Sequence, residues 1–117
     1  MEHTVSLKLN HEFRRLYAKG KSAAAPTLAL YCRKNRCGYT RLGLTVGVKL
    51  GHAVVRNRVR RRLKEAYRTN ESRFLPGYDI VVVGRTRAVQ APYREIERHL
   101  LQTADKLGLL KKPEGGV

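Results

Sequence analysis

Between Gly51 and Arg68 the chain carries seven basic residues and one acidic residue in a pattern that an α-helix organises. Wound at 3.6 residues per turn, Val55, Val59, Leu63, Ala66 and Tyr67 fall on one stripe, while Asn57, Arg61, Lys64 and Arg68 recur on the opposite side. The stripe demands a body to pack against. Arg56, Arg58 and Arg62 flank it, where their aliphatic stems can lie on apolar surface while the guanidinium groups reach outward. Glu65 alone cannot balance seven cations, so the helix repels itself unless something negative neutralises it. Arginine predominates over lysine, and its planar fork can hold two phosphate oxygens at once or stack on a base.

The whole chain shares this bias. Its 117 residues hold 25 Lys and Arg against 9 Asp and Glu, a formal charge of +16, which suits nucleic acid first and an anionic membrane surface second. Residues 1–110 are expected to form a single nucleic-acid-binding domain, with 111–117 a disordered tail. No apolar run approaches the roughly 18 residues of a membrane span, and the N-terminus lacks a signal-peptide core, so a soluble cytoplasmic protein with no membrane partner is expected. Cys32 and Cys37 are the only cysteines. A zinc site needs about four converging ligands, and His3, His11, His52 and His99 show no metal-ligand spacing with them, so ordinary reduced thiols are expected and no metal on the protein.

Asn10 can cap a first helix running to Lys19, with Gly20 as its stop and Phe13, Leu16 and Tyr17 on one face. Two alternating strands follow. Leu28, Leu30 and Cys32 face one way in the first; Leu42, Leu44, Val46 and Val48 do so in the second, leaving Gly43, Thr45 and Gly47 opposite. One face of the sheet is therefore oily and the other unusually small, with Tyr31 beside a floor that something can approach closely. After the basic helix, from about His52 to Asn70, Pro76-Gly77 turns into Tyr78–Gly84, whose continuous apolar run predicts a central strand covered on both faces. A last helix runs from Pro92 to Gly108 with Tyr93, Ile96, Leu100, Ala104 and Leu107 inward. With a further strand near Val46 to Leu50 the order becomes α-β-β-β-α-β-α. The fold class is α+β: an α-β sandwich of one small, mostly antiparallel sheet with packed helices.

No catalytic constellation emerges from these residues. The carboxylates are scattered singly, and the nearest pair, Glu95 and Glu97, point to different sides of a helix. No phosphate-binding glycine loop, Ser/His/Asp set or Cys/His set is present, and His52 reads as a surface residue at a helix start. By itself the chain looks like a binder.

The run from Lys49 to Glu65, with Arg56-Asn57-Arg58 at its centre, resembles the signature of the protein subunit of bacterial ribonuclease P. The likeness extends over nearly the whole chain: Phe13 and Tyr17 on an early helix closing at Gly20, a strand ending in Tyr31, Arg41-Leu42-Gly43 leading into the next strand, and Tyr78 to Val83 before the last helix. The resemblance implies a left-handed β-α-β crossover, contrary to the general handedness rule. It implies a protein that binds the ribonuclease P RNA and the 5′ leader of precursor tRNA, in a ribonucleoprotein that removes the leader. Hydrolysis would belong to the RNA, with magnesium bound mainly by RNA and none held tightly by the protein. No obligate protein partner is expected. Arg56, Asn57, Arg58, Arg60, Arg61 and Arg62 match the block that the family sets against its catalytic RNA, and Lys64 and Arg68 extend that surface by helical geometry. Phe13, Tyr17 and Tyr31 match the leader-binding cleft, as does Arg85; Lys49 and Arg87 are assigned with them. Members often carry basic residues just before Lys49, where this chain has Gly47 and Val48, and phenylalanine is common at the position of Tyr17.

Two other binders fit the charge. A ribosomal protein clamping rRNA needs no aromatic set beside a small-residue floor. A DNA-binding protein would present its helix from a helix-turn-helix or a dimer, and the sequence offers neither.

Overall fold

The run Tyr78–Gly84 lies at the centre of a five-stranded sheet, because its side chains are apolar in both directions. The computed structural model describes residues 4–112. In chain order the elements are β1 (Thr4–Ser6), α1 (Asn10–Lys19), β2 (Lys21–Ala24), β3 (Leu28–Lys34), β4 (Thr40–Val46), α2 (Ala53–Asn70), β5 (Tyr78–Gly84) and α3 (Tyr93–Lys106). Short 3-10 turns occupy Val48–Leu50, Glu71–Arg73 and Thr86–Val89.

The strands lie in the order β1-β4-β5-β3-β2. Ile80 and Val82 of β5 join Leu28, Leu30, Cys32, Leu42 and Val46 against α2 and α3 in the main core, where Val59, Leu63, Ala66 and Tyr67 form the buried stripe of α2. Val81 turns the other way, into a smaller core with Leu7 and Leu16, against which Phe13 and Tyr31 pack. The sheet is thus sandwiched, with α2 and α3 on one face and α1 on the other.

The expected α+β sandwich forms, with three differences of detail. The sheet is mixed rather than mostly antiparallel: β3 pairs antiparallel with β5 and β2, but β4 runs parallel to both β5 and β1. The parallel pair β4 and β5, joined through α2, is the β-α-β unit of the fold. An extra strand, β1, opens the chain; at three residues with only Thr4 half-buried, it has no alternation to read. The strand expected near Val46 to Leu50 is a 3-10 turn, since Gly47 leaves the ladder and Val48 projects into solvent; the additional strand is β2. Lys111 donates its N–H to the Arg73 carbonyl at 2.7 Å, so the start of the expected tail is tied to the body, while 113–117, like His3, lie outside the described residues. Cys32 and Cys37 are free, Cys32 buried with its thiol pushed up by desolvation and Cys37 exposed. No helix among the described residues is long and apolar enough to cross a membrane.

Candidate nucleic-acid interface

The face of the sheet beneath α1 holds the first part of the site. Pairing register sets Gly43, Val81 and Tyr31 in one row across β4, β5 and β3, and Thr45, Val83 and Ala29 in the next. Small residues here let α1 approach. A Cβ built on Gly43 would sit 2.6 and 2.7 Å from two ring atoms of Phe13, so the phenyl ring lies directly on the backbone of β4. One helical turn on, Tyr17 meets Tyr31 edge to face, with ring centroids 4.9 Å apart and planes at 80°. The Tyr17 hydroxyl is 2.9 Å from that of Thr45. Tyr17 remains exposed, while Phe13 and Tyr31 are half-buried, so all three offer aromatic surface beside the open part of the floor.

An ion-pair network fixes the placement of α1. Arg41 on β4 grips Asp79 on β5 with two hydrogen bonds, Nε to Oδ1 at 2.8 Å and Nη2 to Oδ2 at 2.7 Å, and its Nη1 bonds Glu12 on α1. Asn35, in the loop before β4, donates to the same Asp79 at 2.9 Å. The hydrogen bonds that Arg41 donates to Asp79 push the guanidinium's pKa further up, so its charge is permanent. In the sequence Arg41 stands out only as part of the run Arg41-Leu42-Gly43. Its bridging role needs the strand register, which places Asp79 beside it on the same face.

The second part is α2, which carries all eight residues assigned to catalytic RNA. Asn57, Arg58, Arg60, Arg61 and Lys64 are exposed, with no hydrogen-bond or ion-pair partner among the described residues. Three arginines are otherwise engaged. Arg68 is paired with Glu65, its Nε donating at 3.0 Å. Arg62 donates to the carbonyl of Ala91 at 3.0 Å, bracing α2 against the segment before α3, and Arg56 donates to the carbonyl of Gly51 at 3.2 Å.

A groove connects the two parts. Strand β1 pairs only with Thr40 to Leu42, so the rest of β4 has no strand on that side. Along this edge a groove of about 540 Å3 is lined by Phe13, Arg14 and Tyr17 from α1, Leu44, Thr45 and Val46 from β4, and Arg60 from α2. A smaller hollow of about 220 Å3 continues it past Leu44 and Arg60 to Lys8 and Lys64. Arg60 therefore borders both the aromatic cleft and the basic helix. Arg14 and Lys8 join the site unexpected from the sequence; the recurrence of basic residues on the polar face of α1 signals Arg14, whereas Lys8 precedes that helix.

The residues assigned to the leader cleft divide into two groups. Phe13, Tyr17 and Tyr31 converge on the sheet face, whereas Lys49, Arg85 and Arg87 stand at the end of the sheet where β4 and β5 finish. Arg85 donates to the carbonyl of Ala25 at 2.9 Å, and Lys49 and Arg87 line a separate cavity.

The chain is similar to known proteins over most of its length. The profile of the family described as Ribonuclease P matches residues 1–108. The chain is 41% identical over 110 residues to the ribonuclease P protein component of Alkaliphilus metalliredigens, covering 94% of this chain and 99% of that one. It is 38% identical over 112 residues to the corresponding protein of Natranaerobius thermophilus, covering 96% and 97%. Among solved structures, the RNase P protein of Staphylococcus aureus superposes with a TM-score of 0.82 at 31% identity, over 91% of this chain and 97% of that one. That of Thermotoga maritima superposes at 0.76 and 31% identity, over 83% and 92%.

Proposed function

The chain belongs to the ribonuclease P protein family, and from that membership we propose that it binds the 5′ leader of precursor tRNA in its aromatic cleft while α2 docks on the catalytic RNA. As a ribonuclease P protein component its partner is the ribonuclease P RNA and its process is tRNA maturation. The observation that carries the proposal is the continuity of the surface: Phe13 and Tyr17, the latter packed edge to face on Tyr31, line a groove whose far wall is Arg60 of the basic helix.

Aromatic faces suit a general leader site. Stacking contributes roughly 1–3 kcal/mol per base and tolerates any sequence, as a site serving many precursors must. A mature tRNA has no leader to fill the cleft, so the cleft adds affinity for precursor alone and discriminates substrate from product. Exposed Arg58, Arg60, Arg61 and Lys64 hold phosphates of the catalytic RNA, and Asn57 can pair with a base edge or ribose hydroxyl.

Hydrolysis falls to the RNA in this proposal, and magnesium with it. Glu12 and Asp79, carboxylates on the cleft side of the sheet, are both held by Arg41, and among the described residues no three His, Cys, Asp or Glu side chains converge on a metal position. The protein's own residues bind and orient. Its compartment would be the cytoplasm, where precursor tRNA is processed in bacteria.

Magnesium-dependent 5′ cleavage tests the proposal, using the protein alone, a ribonuclease P RNA alone at low magnesium, and both together. Cleavage only by the pair is expected. Cleavage by the protein alone would place an active site on this chain, and failure to stimulate a cognate RNA would return the basic helix to a structural role such as an rRNA clamp.

A further inference from the structure

The outer face of α3 carries Arg94 and Arg98 one turn apart, and Arg73 reaches the same groove from the 3-10 turn that follows α2. The groove measures about 440 Å3. All three side chains are exposed, and none has a hydrogen-bond or ion-pair partner among the described residues. Leu101 and Leu110, both half-buried, supply apolar surface, and Gln102 adds an exposed amide.

The lack of pairing has a structural cause. Arg94 and Glu97 stand at i and i+3, a spacing at which opposite charges meet on a helix. Glu97 is instead turned toward α2: its Oε2 accepts from Nδ2 of the buried Asn70 at 2.8 Å, and the Thr69 hydroxyl lies 3.3 Å from the same oxygen. Asp105, the other carboxylate on the groove, stands about two turns beyond Arg98. Three guanidinium groups therefore face one groove without an ion pair, whereas on α2 Arg68 is held by Glu65.

Such a cluster repels itself in isolation and is relieved by an anion. Arginine forks hold phosphate oxygens in pairs, apolar surface takes a ribose, and an amide can bond its 2′-hydroxyl. Position selects the partner. The Tyr93 hydroxyl is 3.2 Å from that of Thr69, so the first turn of α3 adjoins the last turn of α2, and the basic surface that ends at Arg68 resumes at Arg94. Both helices cover one face of the sheet, while α1 and the aromatic cleft lie on the other. An RNA segment on this groove is therefore shared with α2 and not with the cleft.

Resting on the proposal that α2 docks on the catalytic RNA, we propose that Arg73, Arg94 and Arg98 form a second docking surface for that RNA, binding backbone phosphates of a segment beyond the one held by Arg58, Arg60, Arg61 and Lys64.

Titration of the full-length protein into catalytic RNA across salt concentrations, with no precursor present, tests this. Arg94→Ala with Arg98→Ala should lower affinity about tenfold and reduce the slope of log affinity against log salt by roughly 2, at about 0.9 per phosphate contact. Arg94→Lys with Arg98→Lys should keep most of the slope, because the charge remains when the fork is lost. Hydroxyl-radical footprints should lose one protected RNA segment in the alanine variant and keep the segment that Arg58→Ala with Arg61→Ala exposes. Both side chains are exposed, so thermal melts of the free protein should not change. As a control, Arg15→Ala with Lys19→Ala removes the same charge from the exposed surface of α1, on the opposite side of the sheet, and should leave the slope as it is. The inference is overturned if that control matches the α3 variant, since charge alone would then explain the loss. It is equally overturned if the α3 variant binds catalytic RNA unchanged, which would leave the groove to solvent or to an acidic protein, or if its loss falls on precursor binding to assembled holoenzyme, which would put the tRNA body there. If instead Arg58→Ala with Arg61→Ala leaves affinity for catalytic RNA unchanged, the α2 docking proposal itself fails.

Discussion

Arg41 and Asp79 face each other from parallel neighbouring strands and are joined by two hydrogen bonds of 2.8 and 2.7 Å, the fork of one matched to the carboxylate of the other. Through its remaining nitrogen Arg41 also holds Glu12, so a single side chain couples the sheet to the helix carrying Phe13 and Tyr17. Arg41 thus positions the cleft without lying in it.

Removing this clamp separates position from chemistry. Arg41→Ala leaves Asp79 and Glu12 without their counter-charge in a partly buried setting, at a cost of about 2–3 kcal/mol in stability. Urea denaturation of the free protein measures that loss. Arg41→Lys keeps the charge but not the fork, and falls between. In the holoenzyme, both variants weaken precursor binding more than binding to catalytic RNA, because α1 shifts and α2 does not. Equal losses for the two RNAs would show that Arg41 supports the whole fold rather than α1.

Glu65 and Arg68 form the one ion pair within α2. Arg68 holds the Glu65 carboxyl below the usual carboxylate range, chiefly through its hydrogen bonds. The pair is accordingly intact above the ordinary carboxylate pKa and is lost as pH falls through the lowered value. Arg68 is therefore a masked cation at neutral pH. Arg68→Ala should change affinity for catalytic RNA less than Arg61→Ala does. Glu65→Gln should raise affinity and steepen its salt dependence by about one counterion. Filter-binding titrations across salt concentrations measure both, and a Glu65→Gln variant with an unchanged slope would show that Arg68 does not reach phosphate.

The two halves of the interface should fail independently. Tyr31→Ala removes one stacking face and lowers precursor affinity by about 1–3 kcal/mol while sparing assembly with the catalytic RNA. Arg58→Ala with Arg61→Ala weakens assembly, and matters less for precursor once saturating protein restores the complex. Separate titrations of protein into catalytic RNA and of precursor into assembled holoenzyme distinguish them. If Tyr31→Ala left precursor affinity unchanged, the cleft would not be the leader site.

These residues differ in how far they could be read in advance. The stripe of α2 was legible from Val59, Leu63, Ala66 and Tyr67, because helical burial repeats along one segment and needs no knowledge of its partner. The same holds for β5, whose double-sided apolar run marked it as central. What the sequence concealed depends on contacts distant along the chain. β1 is too short to show a period and exists by pairing with Thr40 to Leu42. Arg41 and Asp79 are 38 positions apart and become partners only through the register of β4 with β5. Lys49 and Arg87 were grouped with the aromatic cleft on resemblance, and the course of the chain after β4 and β5 sets them on a separate cavity.

Gly43 offers the sharpest separation of cleft shape from stability. A Cβ at this position would stand 2.6 and 2.7 Å from two ring atoms of Phe13, closer than atoms can pack, so in Gly43→Ala the ring must leave. It has somewhere to go: Phe13 is only half-buried and can swing toward the open groove it lines. The stability loss should therefore stay near the low end of the about 1–3 kcal/mol typical of overpacking. Precursor affinity should fall as far as in Phe13→Ala, since both remove the same aromatic surface from its place on β4. Combining the two substitutions should add little further loss, because the ring that the new methyl group would displace is already absent. Thermal melts of the free protein and precursor titrations of the three holoenzymes supply the comparison. Fully additive losses in affinity would mean that the floor at Gly43 meets RNA directly instead of serving as the bed of Phe13.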